Sequence, residues 1–178
     1  GAANGASITT PGSETSTVTG LTPGNSVTLR WTITNGSCTS FDDVVLTNSA
    51  APPTANAGSD IEQCNTSTFT LAGNAAGPGT GTWTIQGAAN GAVITNTSSA
   101  TTTVTGLNAG ASVTLRWTIT NGSCTSFDDV VLTNSATPTV SNAGPDQELC
   151  NTGNFTLAGN TPVTGTGAWS IVGAANGA

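Results

Sequence analysis

The chain repeats itself with a period of 86 residues. The hexapeptide Gly-Ala-Ala-Asn-Gly-Ala at 1–6 returns at 87–92 and again at 173–178, and the stretch 26–50 is identical to the stretch 112–136. The rungs of solenoids repeat about every 20–50 residues, so a longer period is that of a small domain. The chain is therefore expected to fold as a tandem array of similar domains, which favours a structural or adhesive role over a catalytic one.

One period contains seven segments with the pattern of β-strands. The clearest is 112–120, where apolar residues from Val113 to Ile119 alternate with Thr and Arg, and the Asn121-Gly122 pair that follows is a strong hairpin-turn signal. No segment has helical periodicity. The pattern predicts an all-β fold of tandem immunoglobulin-like β-sandwich modules. The predicted strands A to G cover 57–64, 68–72, 82–85, 92–95, 101–107, 112–120 and 127–133.

The phase of the repeat predicts how the chain divides. Breaks at Pro52-Pro53 and Pro138 give one whole module at 52–137. Residues 1–51 then hold strands D to G of the module before it, and 138–178 hold strands A to C of the module after it. Neither part can bury its apolar face alone. Either the chain is a window from a longer polypeptide, or the tail of one chain completes the head of the next. We favour the window, because a repeat boundary need not coincide with the ends of a chosen segment.

Alternation also predicts the core, with two tryptophans from each module facing inward. The four core tryptophans are Trp31, Trp83, Trp117 and Trp169. In the whole module the expected core is Phe69, Leu71, Trp83, Ile85, Val104, Leu107, Val113, Leu115, Trp117, Ile119 and one or two of Val130, Val131 and Leu132.

Composition excludes several functions. The net charge is −7 with only two basic residues, which argues against nucleic acid and against anionic membrane surfaces. No apolar run approaches the length that a membrane-spanning helix needs. The chain has no His and no Lys, so the usual general bases are missing and we do not expect an enzyme.

Each module has one cysteine just before strand B and one just after the F–G turn, at Cys38, Cys64, Cys124 and Cys150. A Cys64–Cys124 bond inside the module is the simplest pairing. In immunoglobulin order, however, these two connections lie at opposite ends of a strand of about 26 Å, whereas bonded cysteines need Cα atoms within about 7 Å. The alternative joins Cys64 to the copy of Cys38 or Cys124 one module on, and free thiols are the third reading. Without His or a CxxC pair a zinc site is not expected, and oxidised cysteines would fit an extracellular location.

The acidic residues Asp60, Glu62, Asp128 and Asp129 are candidate calcium ligands, because Ca²⁺ takes six to eight oxygens. No DxDxDG loop is present, and the alternative is that these charges keep strands A and G from aggregating at a sheet edge. No other cofactor is expected. Arg30 and Arg116, the only cations, are expected to pair with an acid of strand G or to stack on an aromatic ring.

Several motifs resemble one family. The Asn-Ala-Gly-x-Asp openings at 56–60 and 142–146, Thr-Val-Thr-Gly-Leu at 103–107, Trp-Thr-Ile-Thr-Asn-Gly at 117–122 and Cys124 are similar to the PKD-like, Ig-like tandem repeats of giant surface proteins of Bacteroidota, including gliding-motility-associated adhesins. The resemblance implies secretion by a type IX route and a place in cell-surface fibres. We expect a non-catalytic extracellular fibre or adhesin stalk, with neighbouring copies of the module as head-to-tail partners. The alternative is a module that binds a glycan or a surface.

Overall fold

The structure, a computed structural model, describes residues 3–151 and 153–173, so the first and last copies of the hexapeptide lie partly outside it. The described residues form eleven β-strands and no helix. The all-β class predicted from the alternation is confirmed. The strands are β1 Ser7–Ile8, β2 Val18–Thr19, β3 Asn25–Asn35, β4 Cys38–Asn48, β5 Ile61–Cys64, β6 Phe69–Ala72, β7 Thr80–Gln86, β8 Val93–Ile94, β9 Thr101–Thr105, β10 Ala111–Asn121 and β11 Cys124–Ser135.

Strands β5 to β11 form a sandwich of two sheets, called here the central sandwich. One sheet has four strands in the order β5-β11-β10-β7, and the other has three in the order β6-β9-β8. β10 pairs antiparallel with both β11 and β7, whereas β5 runs parallel to β11. Predicted strands A, G, F and C thus share one sheet and B, E and D the other, which is an immunoglobulin-like arrangement.

The core lies between these two sheets. Trp83 and Trp117 are at its centre, with ring centroids 5.0 Å apart. Ile85 and Val131 are only half-buried, while three alanines that the alternation did not indicate are buried. The buried apolar residues are Ala55, Ala57, Phe69, Leu71, Trp83, Ala92, Val104, Leu107, Val113, Leu115, Trp117, Ile119, Val130 and Leu132.

Outside the sandwich lie an N-terminal segment, residues 3–51, and a C-terminal segment, residues 138–173. β3 and β4 pair as a hairpin and β1 pairs with β2, but the described residues of the C-terminal segment form no strand. Trp31 and Trp169 were expected in a core, yet they are 43% and 57% exposed. The reason is that residues 3–51 hold no copies of β6 and β7, and the described residues of the C-terminal segment hold no copies of β10 and β11, which are the strands that help to bury Trp117 and Trp83.

All seven predicted strands differ from the observed strands at one end or both, and two of them begin three or more residues away from the predicted start. Strand A was expected over 57–64, but only Ile61–Cys64 pairs as β5, because side chains rather than a ladder hold the residues before it. β11 begins at Cys124 instead of 127, because the turn after β10 takes only Gly122 and Ser123.

Candidate functional site

The most specific contact outside the core is between the chain leaving β4 and the turn that joins β10 to β11. The Ser49 carbonyl accepts a hydrogen bond from Cys124 Sγ at 3.6 Å, and the Ala50 carbonyl accepts one from Asn121 Nδ2 at 3.0 Å. Gly122 has φ +59°, and a Cβ there would overlap the Ser49 hydroxyl. These residues, 49–50 and 121–124, are called here the junction. They fix the end of the N-terminal segment on one end of the central sandwich.

Beyond the junction the chain is bonded along β11. Ala55 N donates to Ser126 Oγ at 2.9 Å, and Ala57 N donates to Asp128 Oδ2 at 2.8 Å. The same pattern continues just before β5, where Asp60 Oδ1 accepts from Val131 N at 2.8 Å. Side chains of the two segments therefore replace the backbone ladder until β5 starts to pair.

The four candidate calcium ligands are each engaged in a different contact. Asp60 and Asp128 join the incoming chain to β11, and Glu62 accepts from the Ser135 hydroxyl. Asp129 pairs with Arg116. Within residues 3–151 and 153–173, no three His, Cys, Asp or Glu side chains are grouped so that they could hold a metal ion. The structure does not assemble the four acids into a calcium site, because alternation along β11 sends Asp128 and Asp129 to opposite faces.

The Arg116 side chain combines both contacts expected for it. Its Nε and Nη2 donate to the two carboxylate oxygens of Asp129, each at 2.8 Å, and its guanidinium carbon lies 3.9 Å from the ring centroid of Phe127. This hydrogen bonding lowers the pKa of Asp129, and partial desolvation opposes it. The same group recurs as Arg30, Asp43 and Phe41 on the β3–β4 hairpin, so the hairpin alone is sufficient to build it.

All four cysteines lie in the described part of the chain, and none is in a disulfide. Cys64 is opposite Ser135 at the last residue of β11, whereas Cys124 is its first residue. The length of β11 separates the two positions, about 36 Å at about 3.3 Å per residue. The predicted alternative of a Cys64–Cys124 bond inside the module is wrong, because parallel pairing of β5 with β11 puts the cysteines at opposite ends.

Sequence reasoning missed one buried polar residue, Asn134, which is 2% exposed. Its Nδ2 donates to the Leu107 carbonyl at 2.8 Å, and its Oδ1 accepts from Thr66 N at 2.9 Å. It therefore joins the loops after β9 and β5 to the end of β11. The signal was present, since Asn134 continues the inward alternation of Val130 and Leu132.

The described residues include no helix long and apolar enough to cross a bilayer. No protein-family model matches the chain. No curated protein matches it.

Solved structures do resemble it. The PKD domain of the KIAA 1837 protein is 21% identical over 58% of this chain and 99% of its own, with a TM-score of 0.41. Extracellular domains 3–5 of Drosophila OTK are 13% identical over 66% of this chain and 43% of their own, also with a TM-score of 0.41. Domains 4–9 of the surface layer protein SbsC are 19% identical over 72% of this chain and 21% of their own, with a TM-score of 0.32.

Proposed function

We propose that this chain is a structural repeat region of an extracellular fibre or adhesin stalk, in which Ig-like modules are joined end to end. The observation that carries the proposal is that the chain reaches the central sandwich at one end of β11 and leaves it at the other. Ser49 and Ala50 contact the turn before Cys124, while β11 ends at Ser135.

Repetition of this geometry places successive modules along one direction. Strand β11, from Cys124 to Ser135, spans about 36 Å at about 3.3 Å per residue, and the residues of the junction add a few ångströms. The residues that leave β11, Ser135 and Ala136, are the copies of Ser49 and Ala50, because the stretches 26–50 and 112–136 are identical. The next repeat can therefore form the same junction, and modules then follow one another in a line at intervals of roughly 40 Å.

Exposed apolar residues in the N-terminal and C-terminal segments support the proposal that neighbouring copies of the module are the partners. Trp31 is exposed on the β3–β4 hairpin and Trp169 is exposed in the C-terminal segment, yet their counterparts Trp117 and Trp83 are buried ring against ring. An open groove beside Trp169 is lined by Ala143 and Leu157, whose counterparts are also buried in the central sandwich. In the central sandwich the copies of these groove residues lie in the core with β10 and β11. A hairpin like β10–β11 from the next module would therefore fill the groove. We therefore assign 52–137 as a whole module, and 1–51 and 138–178 as complementary parts of its neighbours.

Chemistry also favours a non-catalytic role. With no His and no Lys, the usual general bases for the many Ser and Thr hydroxyls are missing. The carboxylates of Asp60, Glu62 and Asp128 are already hydrogen-bonded within the fold. Resemblance to PKD-like repeats of Bacteroidota surface adhesins supports a secreted, cell-surface setting.

The test of this proposal uses two copies fused through one shared hexapeptide, so that residues 1–178 are followed by 7–178 in the same repeat phase. Small-angle X-ray scattering should show a maximum dimension about 80 Å greater than that of the single chain, since two modules are added at about 40 Å each. A compact particle with little increase in length would contradict the end-to-end arrangement.

A matched pair of variants tests the junction itself in the single chain. Gly122 and Gly36 both have positive φ, near +60°, but only a Cβ at Gly122 meets Ser49, and one at Gly36 meets nothing within 4 Å. Gly122→Ala should speed cleavage after Ala50 by an elastase-type protease, whereas Gly36→Ala should not. Equal cleavage rates in the two variants would show that the junction does not hold the chain.

A further inference from the structure

We propose that successive modules are joined by a disulfide between the cysteine that ends β5 in one module and the cysteine that begins the β11 strand of the next. In this numbering, Cys64 bonds to the residue one period beyond Cys124. This inference rests on the proposed end-to-end array, because the two sulfurs belong to different modules.

The first observation concerns the outgoing end of the central sandwich. Cys64 is the Cα partner of Ser135 in the β5–β11 pairing, and Asn65 N donates to the Ser135 carbonyl at 2.8 Å. Cys64 is exposed. It therefore lies beside the peptide group where β11 ends and the chain proceeds to the next module.

The second observation concerns the incoming end. Cys124 Sγ donates to the Ser49 carbonyl at 3.6 Å, and Asn121 Nδ2 holds the Ala50 carbonyl next to it. Ser49 and Ser135 are the same position in two identical copies. A module placed after residue 136 with this junction puts its own cysteine against the Ser135 carbonyl. Cys64 and that cysteine then flank one peptide group, within the reach of a disulfide whose Cα atoms are about 4.4–6.8 Å apart.

Disulfides within one chain do not compete with the bond between modules. Cys64 and Cys124 are at opposite ends of β11, and the turn cysteine Cys38 begins β4 at the end away from the junction. For each of the four cysteines the proposed partner falls before residue 1 or beyond residue 178, which agrees with four free thiols in this chain.

Formation of the bond is a two-electron oxidation. The two thiols lose two protons and two electrons as the S–S bond forms, and a disulfide oxidant takes them up and becomes two thiols. In the cell envelope the oxidant would be a thiol–disulfide oxidoreductase, and in the test it is oxidised glutathione.

The test again uses two copies fused through the shared hexapeptide, incubated with oxidised glutathione. The expected bonds are Cys64 of the first copy to Cys38 of the second, and Cys150 of the first copy to Cys124 of the second. Peptide mapping by mass spectrometry identifies the pairs, and thiol titration should find four of the eight cysteines free, since each copy has four.

Two variants of the first copy give matched controls. Cys64→Ser should remove one bond and raise the titre to five thiols, whereas Cys38→Ser should keep both bonds and lower it to three, because this cysteine has no module before it. A Cys64–Cys124 peptide within one copy, or eight reactive thiols after oxidation, would overturn the proposal. Scattering separates this failure from that of the array: a long particle with eight free thiols rejects only the disulfide, and a compact particle rejects the array.

Discussion

The β3–β4 and β10–β11 hairpins share one sequence from Ser26 and Ser112 onwards, but they lie in two environments. Both pair in the same register, from Asn25↔Asn48 in the first and from Ala111↔Asn134 in the second, and both carry the bidentate Arg–Asp pair. Yet Ile33 is 61% exposed and its copy Ile119 is fully buried. The comparison separates two kinds of information: strand pairing and register are encoded within the hairpin, whereas burial is supplied by other strands.

The strands that make the difference are β7 and β6. β7 pairs with β10 and places Trp83 beside Trp117, and β6 places Phe69 and Leu71 in the core. β1 and β2 are the copies of β8 and β9, but β6 and β7 have no copies within residues 3–51. An isolated two-stranded hairpin is only marginally stable in water, so most of the stability is expected to lie in the central sandwich.

The largest expected difference between the two hairpins is at tryptophan. Trp117→Ala removes an indole that is 1% exposed and leaves a cavity, which should cost about 3–5 kcal/mol of unfolding free energy. Trp31→Ala, in the exposed copy, should leave the unfolding of the sandwich nearly unchanged. Urea titration followed by circular dichroism measures both, and similar losses in the two variants would show that the first hairpin is packed as well as the second.

A smaller contrast is expected at the glycine that faces the indole. A Cβ on Gly81 would overlap the six-membered ring of Trp117, while a Cβ on its copy Gly167 meets nothing within 4 Å. Gly81→Ala should therefore cost about 1–3 kcal/mol through overpacking, and Gly167→Ala less than about 0.5 kcal/mol. Thermal melting of the two variants measures the contrast; a Gly81→Ala protein that melts with the wild type would mean that the indole is not in contact with β7.

The smallest effect is expected at the surface ion pair. Hydrogen bonding from Arg116 lowers the pKa of Asp129 below its ordinary value, so the pair stabilises the fold above the unfolded pKa near about 4 and loses this contribution as pH falls through the lower, folded pKa. Asp129→Asn should reduce the loss of melting temperature between about pH 6 and pH 3. Asp43→Asn changes the same pair outside the sandwich and should leave that loss as it is. An identical dependence of melting temperature on pH in the wild type and in Asp129→Asn would show that the ion pair does not contribute to stability.

Much of the central sandwich was predictable because its signals are local. Alternation and the Asn121-Gly122 turn define β10 and β11, and the same alternation marks Asn134 as inward-facing. The junction was not predictable, because the contact of Ser49 with Cys124 depends on which ends of two domains meet. The failure of the Cys64–Cys124 pairing has the same origin, since the direction of β5 along β11 is set by the path of the incoming chain. Alternation within a strand cannot report the exposure of Trp31 and Trp169, which follows instead from the phase of the repeat, because 1–51 and 138–178 each lack strands of a whole module.

The parallel pairing of β5 with β11 has a consequence for how a stalk resists force. A pull along the array draws the incoming chain and β5 towards one end of the sandwich, and draws Ser135 at the end of β11 towards the other. The four residue pairs from Ile61–Leu132 to Cys64–Ser135 are then strained in shear, because the pull runs along the strands and across their hydrogen bonds. Such bonds must yield together, whereas the bonds of a hairpin pulled from its open end yield one after another. While the cysteines are reduced, each module should therefore stay closed under tension until a single threshold is exceeded, and then lengthen abruptly.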